Sequence, residues 1–285
     1  MRRAMSALAG LCGGALVALA LGSSVQAAAF TQPAPGDWRP ADAENTLVID
    51  TNQGRIIVEL IPSVAPLSVE RLKVLTRQHF YDGLTFFRVI DDFMDQTGDP
   101  KNTGEGGSTL PQVPGEFVFS RAPADPIAIY DKAPGQEIGF LGVLPVSSQP
   151  IAMAPLMASG KVAASGMFCP GVIGMARAQD PDSANSQFFI MRQNHDALNK
   201  RYAAIGRVLA GEDVARRIKT GEPVPAPQDR MTKVQILADM PADSRPKVQV
   251  LDTRSAYFAN LVAQSKAARG TDFNICDIDI AAEVK

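Results

Sequence analysis

The sequence predicts a mainly β fold: one strand-dominated domain with two principal helices, an inserted segment and a C-terminal extension. Three observations point to it. Short runs that alternate apolar and polar residues recur along the chain, as in "TLVIDT", "GRIIVEL" and "SQFFIMR". Gly, Pro, Asn and Asp punctuate those runs at turn-like intervals. Sustained helical spacing in the main body is confined to "APLSVERLKVLTRQ" and "GEDVARRIKTG". The chain has 285 residues, 46% hydrophobic and 20% charged, which is an ordinary globular composition.

Arg2 and Arg3 precede an uncharged apolar stretch from Ala4 to Gly22, and small residues follow at Val25-Gln26-Ala27 and Ala27-Ala28-Ala29. That order predicts an export signal over residues 1–28, cleaved on passage. The mature protein would then be periplasmic or otherwise exported, with no stable membrane insertion. The alternative is an uncleaved leader acting as a membrane anchor, because the apolar stretch is barely long enough to span a bilayer. Gly10, Gly13 and Gly14 weaken such a helix and favour cleavage. Residues 29–44 are proline-rich and read as an extended linker. The main domain is expected over 45–240 with an insertion at 121–169, and residues 241–285 form the extension.

Within the domain, "TLVIDT" and "GRIIVEL" form a hairpin about a turn at Asn52–Gly54. Leu47 and Ile49 share one strand face, as do Ile56, Val58 and Leu60. The first helix carries a stripe of Leu67, Val69, Leu72, Leu75 and Thr76, with Pro66 tolerated near its start. "YDGLTFFRVI" and "FMDQTGD" return to strands, with Phe86, Arg88 and Ile90 on one face. "GDPKNTGEGGS" lacks the Gly-Lys-Ser/Thr ending of a phosphate loop and reads as a structural turn.

In the insertion, "EIGFLGVLPV" predicts one extra strand or hairpin. Met153, Met157 and Met167 are read as belonging to a packed cap rather than a soft contact surface. Strands resume at "GVIGMA", "SQFFIMR", "YAAIGRVL" and "MTKVQILADM". The tail offers the strand-like "KVQVLD", the helix-like "RSAYFANLVAQSKAARG" and the strand-like "NICDIDI".

Without Arg2 and Arg3 the chain holds 26 Lys+Arg against 30 Asp+Glu, a balance of −4, and no basic run follows a phosphate backbone. Nucleic acid is therefore not an expected partner. Neither CxxC nor HxxxH occurs, so no metal site is expected. Cys169 and Cys276 are the cysteines left after the leader. In an oxidising compartment they either pair or stand as two unrelated buried thiols, and the residues leave both readings open. The only histidines, His79 and His195, are not near a nucleophile motif, and Asp91-Asp92 fits a hairpin turn better than acid–base work.

What remains unusual is Arg88, a permanent charge inside an aromatic-rich strand. Met94 and Gln96 share a face of the next strand. Gln187 and Phe189 share a face of "SQFFI", with Phe188 pointing the other way. Arg88, Met94, Gln96, Gln187 and Phe189 together would make an apolar groove with one fixed cation and two amides. Such a groove suits an extended peptide and, within it, a proline ring.

"FFRVIDDFMDQTGD", the following "GEGGS", "GVIGMARA", "NSQFFI" and "YAAIGRVLAGEDVARRI" resemble the cyclophilin family of peptidyl-prolyl isomerases. The resemblance covers about residues 45–120 and 171–240 and skips the insertion and the tail. It implies a closed eight-stranded antiparallel β-barrel with two helices, which leaves no free strand edge. It also implies catalytic roles for Arg88, Phe93 and Gln96. Met94, Ala176, Arg177, Ala178, Gln187, Phe189, Leu198 and Tyr202 would bind substrate. Tyr202 stands where many members carry histidine, which looks like the bacterial, exported branch. Ala197 replaces a bulky aromatic at the pocket rim and implies weak binding of the macrocycle cyclosporin.

The implied activity is isomerisation of X–Pro bonds in unfolded or exported proteins, by a monomer with no cofactor. The rival reading is a non-catalytic peptide-binding or chaperone module of the same fold.

Overall fold

The computed structural model describes residues 32–285, so the expected leader and the start of the linker lie outside the described residues. Thr46–Thr51 (β1) and Gly54–Leu60 (β2) pair in the expected hairpin, Thr51 opposite Gly54. The Thr51 hydroxyl locks the turn, accepting from the Gln53 N–H and donating to the Gly54 carbonyl. Six further strands complete the main sheet: Arg88–Ile90 (β3), Met94–Thr97 (β4), Val172–Met175 (β5), Phe188–Met191 (β6), Ala204–Ala210 (β7) and Met231–Ile236 (β8). Their spatial order is β8-β1-β2-β7-β5-β6-β4-β3, antiparallel throughout.

The sheet is curled, and the flanks of its two end strands meet at an isolated bridge between Thr85 and Arg230. The expected closed barrel is thus represented here by a curled eight-stranded sheet, not by eight strands paired all the way round.

Strand alternation sorts the apolar residues into two cores. Leu47, Ile49, Ile56, Val58, Phe188 and Ile190 face inward, where helix Pro66–Arg77 (α1) contributes Val69, Leu72 and Leu75, and helix Glu212–Arg217 (α2) contributes Val214 and Ala215. Val48, Ile57, Met94 and Phe189 face outward into a second core. The N-terminus of α1 has no cap of its own. Glu116 supplies one from 48 residues away, accepting from the Leu67 and Ser68 N–H groups at 2.9 and 2.8 Å.

The outer core is covered by residues of the 121–169 segment and of the chain after 240. The insertion is richer than the one extra strand or hairpin expected: with Phe119–Arg121 at its start, Val162–Gly166, Leu144–Ser148, Gln136–Leu141 and Ile127–Ala133 follow in that order in a five-stranded antiparallel sheet. Met167 is buried, while Met153 and Met157 stay exposed. Trp38–Pro40, inside the stretch read as an extended linker, is extended but docked. It pairs with Val248–Leu251, which pairs in turn with Ala282–Val284.

Helix Ala256–Arg269 (α3) starts at a Ser255 cap and buries Phe258 edge-on against Phe140 at 5.4 Å and against Tyr130 at 5.6 Å. These three rings tie the insertion to the tail; burying one such ring is worth about 1.5–3 kcal/mol. "NICDIDI" is not a strand. The Asn274 side chain accepts from the Cys276 N–H and caps a short turn at Ile275–Asp277, a local bond that competes with strand pairing. Cys169 and Cys276 are joined as a disulfide with their Cα atoms 5.0 Å apart. Among the described residues no helix is long and apolar enough to cross a membrane.

Candidate active site

Strand register assembles the site. Arg88 lies directly opposite Gln96 across β3 and β4, and Gln96 lies opposite Phe189 across β4 and β6. Arg88 Nη1 donates to Gln96 Oε1 at 3.3 Å and approaches the Met94 sulfur at 4.0 Å. Gln96 Nε2 donates to Gln187 Oε1 at 2.8 Å, and Gln187 Nε2 donates to the carbonyls of Gly106 and Gly104 at 2.7 and 2.9 Å. The two amides relay orientation from the glycine-rich turn to the guanidinium, each with its oxygen and nitrogen assigned by its partner.

The greasy wall is aromatic. The Arg88 guanidinium lies 5.9 Å from the Phe93 ring centre, and Phe93 packs on the His195 ring at 4.7 Å. Phe189 stacks on Phe168 at 5.7 Å and meets Tyr202 edge-on at 5.9 Å. Leu198, buried, belongs to the same core as Met94 and Phe189. The other face of Tyr202 is covered by the Arg177 guanidinium at 4.5 Å, which also lies 5.4 Å from Phe117. Arg177 donates to the carbonyls of Arg201 and Ala178, so its charge braces the wall. The Ala176 N–H is held by the Gln187 carbonyl, and the Ala178 N–H by the Ser183 hydroxyl. Beside the aromatic wall, Gln96, Gly104, Gly106, Ala176, Arg177 and Gln187 help line a cleft of about 370 Å³.

All eleven residues expected at the site fall on this one surface or its immediate wall. Phe86 does not share the face of Arg88. The strand begins at Arg88, and Phe86 is fully buried in the inner core with Tyr81 and Val89. Sequence reasoning missed Phe117, Phe168 and His195 as wall residues. It also missed Glu222, whose carboxylate accepts from Arg88 Nε at 2.5 Å across 134 positions.

A further omission is Arg192, at the end of "SQFFIMR". It is buried and donates to Asp95 at 2.5 Å, to Asp91 at 2.7 Å and to the Ala215 and Ile218 carbonyls at the end of α2. The charge directly after an apolar strand was the available signal. Its N–H also bonds the Phe93 carbonyl, so it fixes the turn that carries Phe93.

The glycine-rich turn is organised by Asp99. Burial pushes this carboxyl up, but N–H donors of Lys101, Gly106, Thr103 and Gly104 outweigh that and hold it below the ordinary carboxylate range. Asp99→Asn is expected to cost about 1–3 kcal/mol at neutral pH. Because the folded state holds this group below its unfolded value, its contribution is present above pH ~4 and is lost as pH falls through the folded value. Thermal unfolding at pH 7 and pH 3 checks this: the gap between wild type and variant should narrow in acid.

Comparison with known proteins agrees with this geometry. The family model described as "Cyclophilin type peptidyl-prolyl cis-trans isomerase/CLD" matches residues 46–238. A probable peptidyl-prolyl cis-trans isomerase of Brucella suis is 33% identical over 222 residues, covering 74% of this chain and 84% of its own length. Its counterpart in Brucella abortus is 32% identical over the same span. The crystal structure of cyclophilin AquaCyp293 from Hirschia baltica superposes with a TM-score of 0.80 at 31% identity, covering 88% of this chain and 94% of that one. The chain belongs to the cyclophilin family and is a cyclophilin-type peptidyl-prolyl cis-trans isomerase.

Proposed function

We propose that this isomerase works through Arg88, which stabilises the twisted X–Pro bond while Phe93, Met94, Phe189 and Leu198 grip the proline ring. The observation that carries the reading is the Arg88–Gln96–Gln187 relay beside an aromatic wall. Rotation about a peptide bond faces a barrier of about 18–20 kcal/mol, because amide resonance must be broken. Unaided X–Pro exchange therefore takes tens to hundreds of seconds.

No bond to a heavy atom breaks, so a catalyst need only bind the twisted state better than either planar one. In the twisted state the proline nitrogen regains a lone pair. A fixed guanidinium then donates to it, and that hydrogen bond has no counterpart in the ground state. Nε and Nη1 are taken by Glu222 and Gln96, while Nη2 has no protein partner among the described residues. Nη2 is the donor left for substrate.

Gln96 orients the guanidinium. Ala176, Arg177, Ala178 and Gln187 border the cleft that would take the residues next to proline, and Tyr202 closes the ring pocket. The substrates are proline-containing segments of unfolded or exported proteins, bound by a monomer outside the cytoplasm once residues 1–28 are removed. In domain terms, residues 45–240 form the isomerase, the 121–169 insertion covers its outer face, and 241–285 close over the insertion.

Phe189→Ala tests the pocket. Loss of a buried aromatic from the wall should raise KM for an X–Pro peptide by about tenfold or more, roughly the loss of 1.4 kcal/mol of ring contact. An unchanged KM in an isomerisation assay would remove Phe189 from the pocket.

A further inference from the structure

We infer that Glu222 is a positioning residue for the isomerase reaction: it holds the Arg88 guanidinium in the plane that presents Nη2 to the substrate. The inference rests on the Arg88 reading above. Two independent features support it. The first is the side-chain bond, Arg88 Nε to Glu222 Oε1 at 2.5 Å, which holds a second guanidinium nitrogen beside the Nη1 that bonds Gln96 on the opposite strand. Held at Nε and Nη1, the planar fork cannot rotate about its long flexible stem.

The second is the backbone that carries Glu222. Gly221 and Val89 exchange both N–H···O bonds at 2.8 Å, and the Val224 N–H donates to the Phe87 carbonyl at 2.9 Å. The segment is thereby laid along the free edge of β3, one residue from Arg88 itself. It is held from behind as well: Val224 is buried, the Lys219 ammonium bonds the Pro225 carbonyl, and the Lys219 N–H bonds Asp229. Only glycine fits at 221, where a Cβ would come within 2.6 Å of the Val224 Cα. A carboxylate on a mobile loop would form one of many transient ion pairs. This one is placed by a sheet bridge.

The pair is partly exposed, 33% on the Arg88 side chain and 57% on Glu222, so removing it changes folding stability little. Its effect falls on the chemical step, because an unheld guanidinium must be ordered in each turnover. Glu222→Ala is expected to lower kcat for an X–Pro peptide about fivefold, with KM and the unfolding midpoint unchanged. Glu222→Gln keeps an acceptor oxygen for Nε and should restore most of kcat.

The Arg88 Nε–H resonance, sharp in wild type by ¹H–¹⁵N NMR, should be lost to solvent exchange in Glu222→Ala and persist in Glu222→Gln. Wild-type kcat in Glu222→Ala, a raised kcat, or an unaltered Nε–H resonance would each overturn the inference. Wild-type turnover in Arg88→Ala would instead overturn the Arg88 reading on which it rests.

Discussion

Arg88→Ala is expected to lower kcat/KM for X–Pro isomerisation by about 10²–10³-fold, the cost of removing one preorganised donor from a transition state. The loss should sit in kcat. In the proposed mechanism the proline ring is gripped by Phe93, Met94, Phe189 and Leu198, which pack in the outer apolar core. Arg88→Lys is the sharper variant. It keeps the charge but offers one ammonium in place of a fork, so the simultaneous bonds to Glu222, Gln96 and substrate cannot be made. Little activity should return. Recovery to near wild type in Arg88→Lys would mean that charge alone suffices and that the planar relay through Gln96 and Gln187 is incidental.

Arg192→Met should destabilise the fold by about 3–5 kcal/mol above neutral pH, because it removes the cation that lets a buried carboxyl ionise. Asp95 is fully buried, and Arg192 is the cation that neutralises it. Burial pushes the Asp95 carboxyl up to about 7 even against the pull of Arg192. The unfolded chain ionises this group near pH 4. The folded state therefore holds a proton that the unfolded state has released, and this group's contribution falls as pH rises from about 4 to about 7. In Arg192→Met the carboxyl loses its cation and keeps its proton further into the alkaline range. The stability gap between wild type and variant should widen from pH 5 to pH 8 in denaturant titrations. A constant gap would mean that Asp95 has found another partner.

Pocket activity should also suffer in Arg192→Met. The same side chain anchors the Asp91 turn, and its N–H holds the Phe93 carbonyl.

The sheet and the grouping of the candidate site residues were largely legible in the chain, for a physical reason. The alternation of "TLVIDT", "GRIIVEL" and "SQFFI" reflects a face-by-face division that a pleated strand imposes, so Phe188 is read as core and Phe189 as the opposite, groove face; that groove face also backs onto a second apolar core. Arg88, Gln96 and Gln187 stood out because charges and amides on apolar strand faces need a reason.

What could not be read depended on contacts between distant segments. Glu222 and Glu116 act on residues 134 and 48–49 positions away, and nothing in "GEPVPAP" or "PGEF" marks them. The insertion was under-read because its strands carry turn-forming residues. Gly139 sits mid-strand, where a Cβ would collide with the Ala128 carbonyl oxygen at 1.9 Å, so a close backbone approach looks in sequence like a break. The tail misled in the opposite sense. "NICDIDI" alternates like a strand, yet Asn274 closes a turn on Cys276, next to the disulfide.

The measurement that bears most directly on Arg88 is NMR exchange spectroscopy on a short Ala-Pro-containing peptide, with wild type and Arg88→Ala each near saturation. It reads binding and turnover in one sample. The unaided peptide exchanges its cis and trans resonances over tens to hundreds of seconds. The expected result is subsecond exchange with wild type. With Arg88→Ala, the same binding shifts should appear while exchange returns close to the unaided rate. Exchange at the wild-type rate in Arg88→Ala would contradict the proposal that this arginine stabilises the twisted bond.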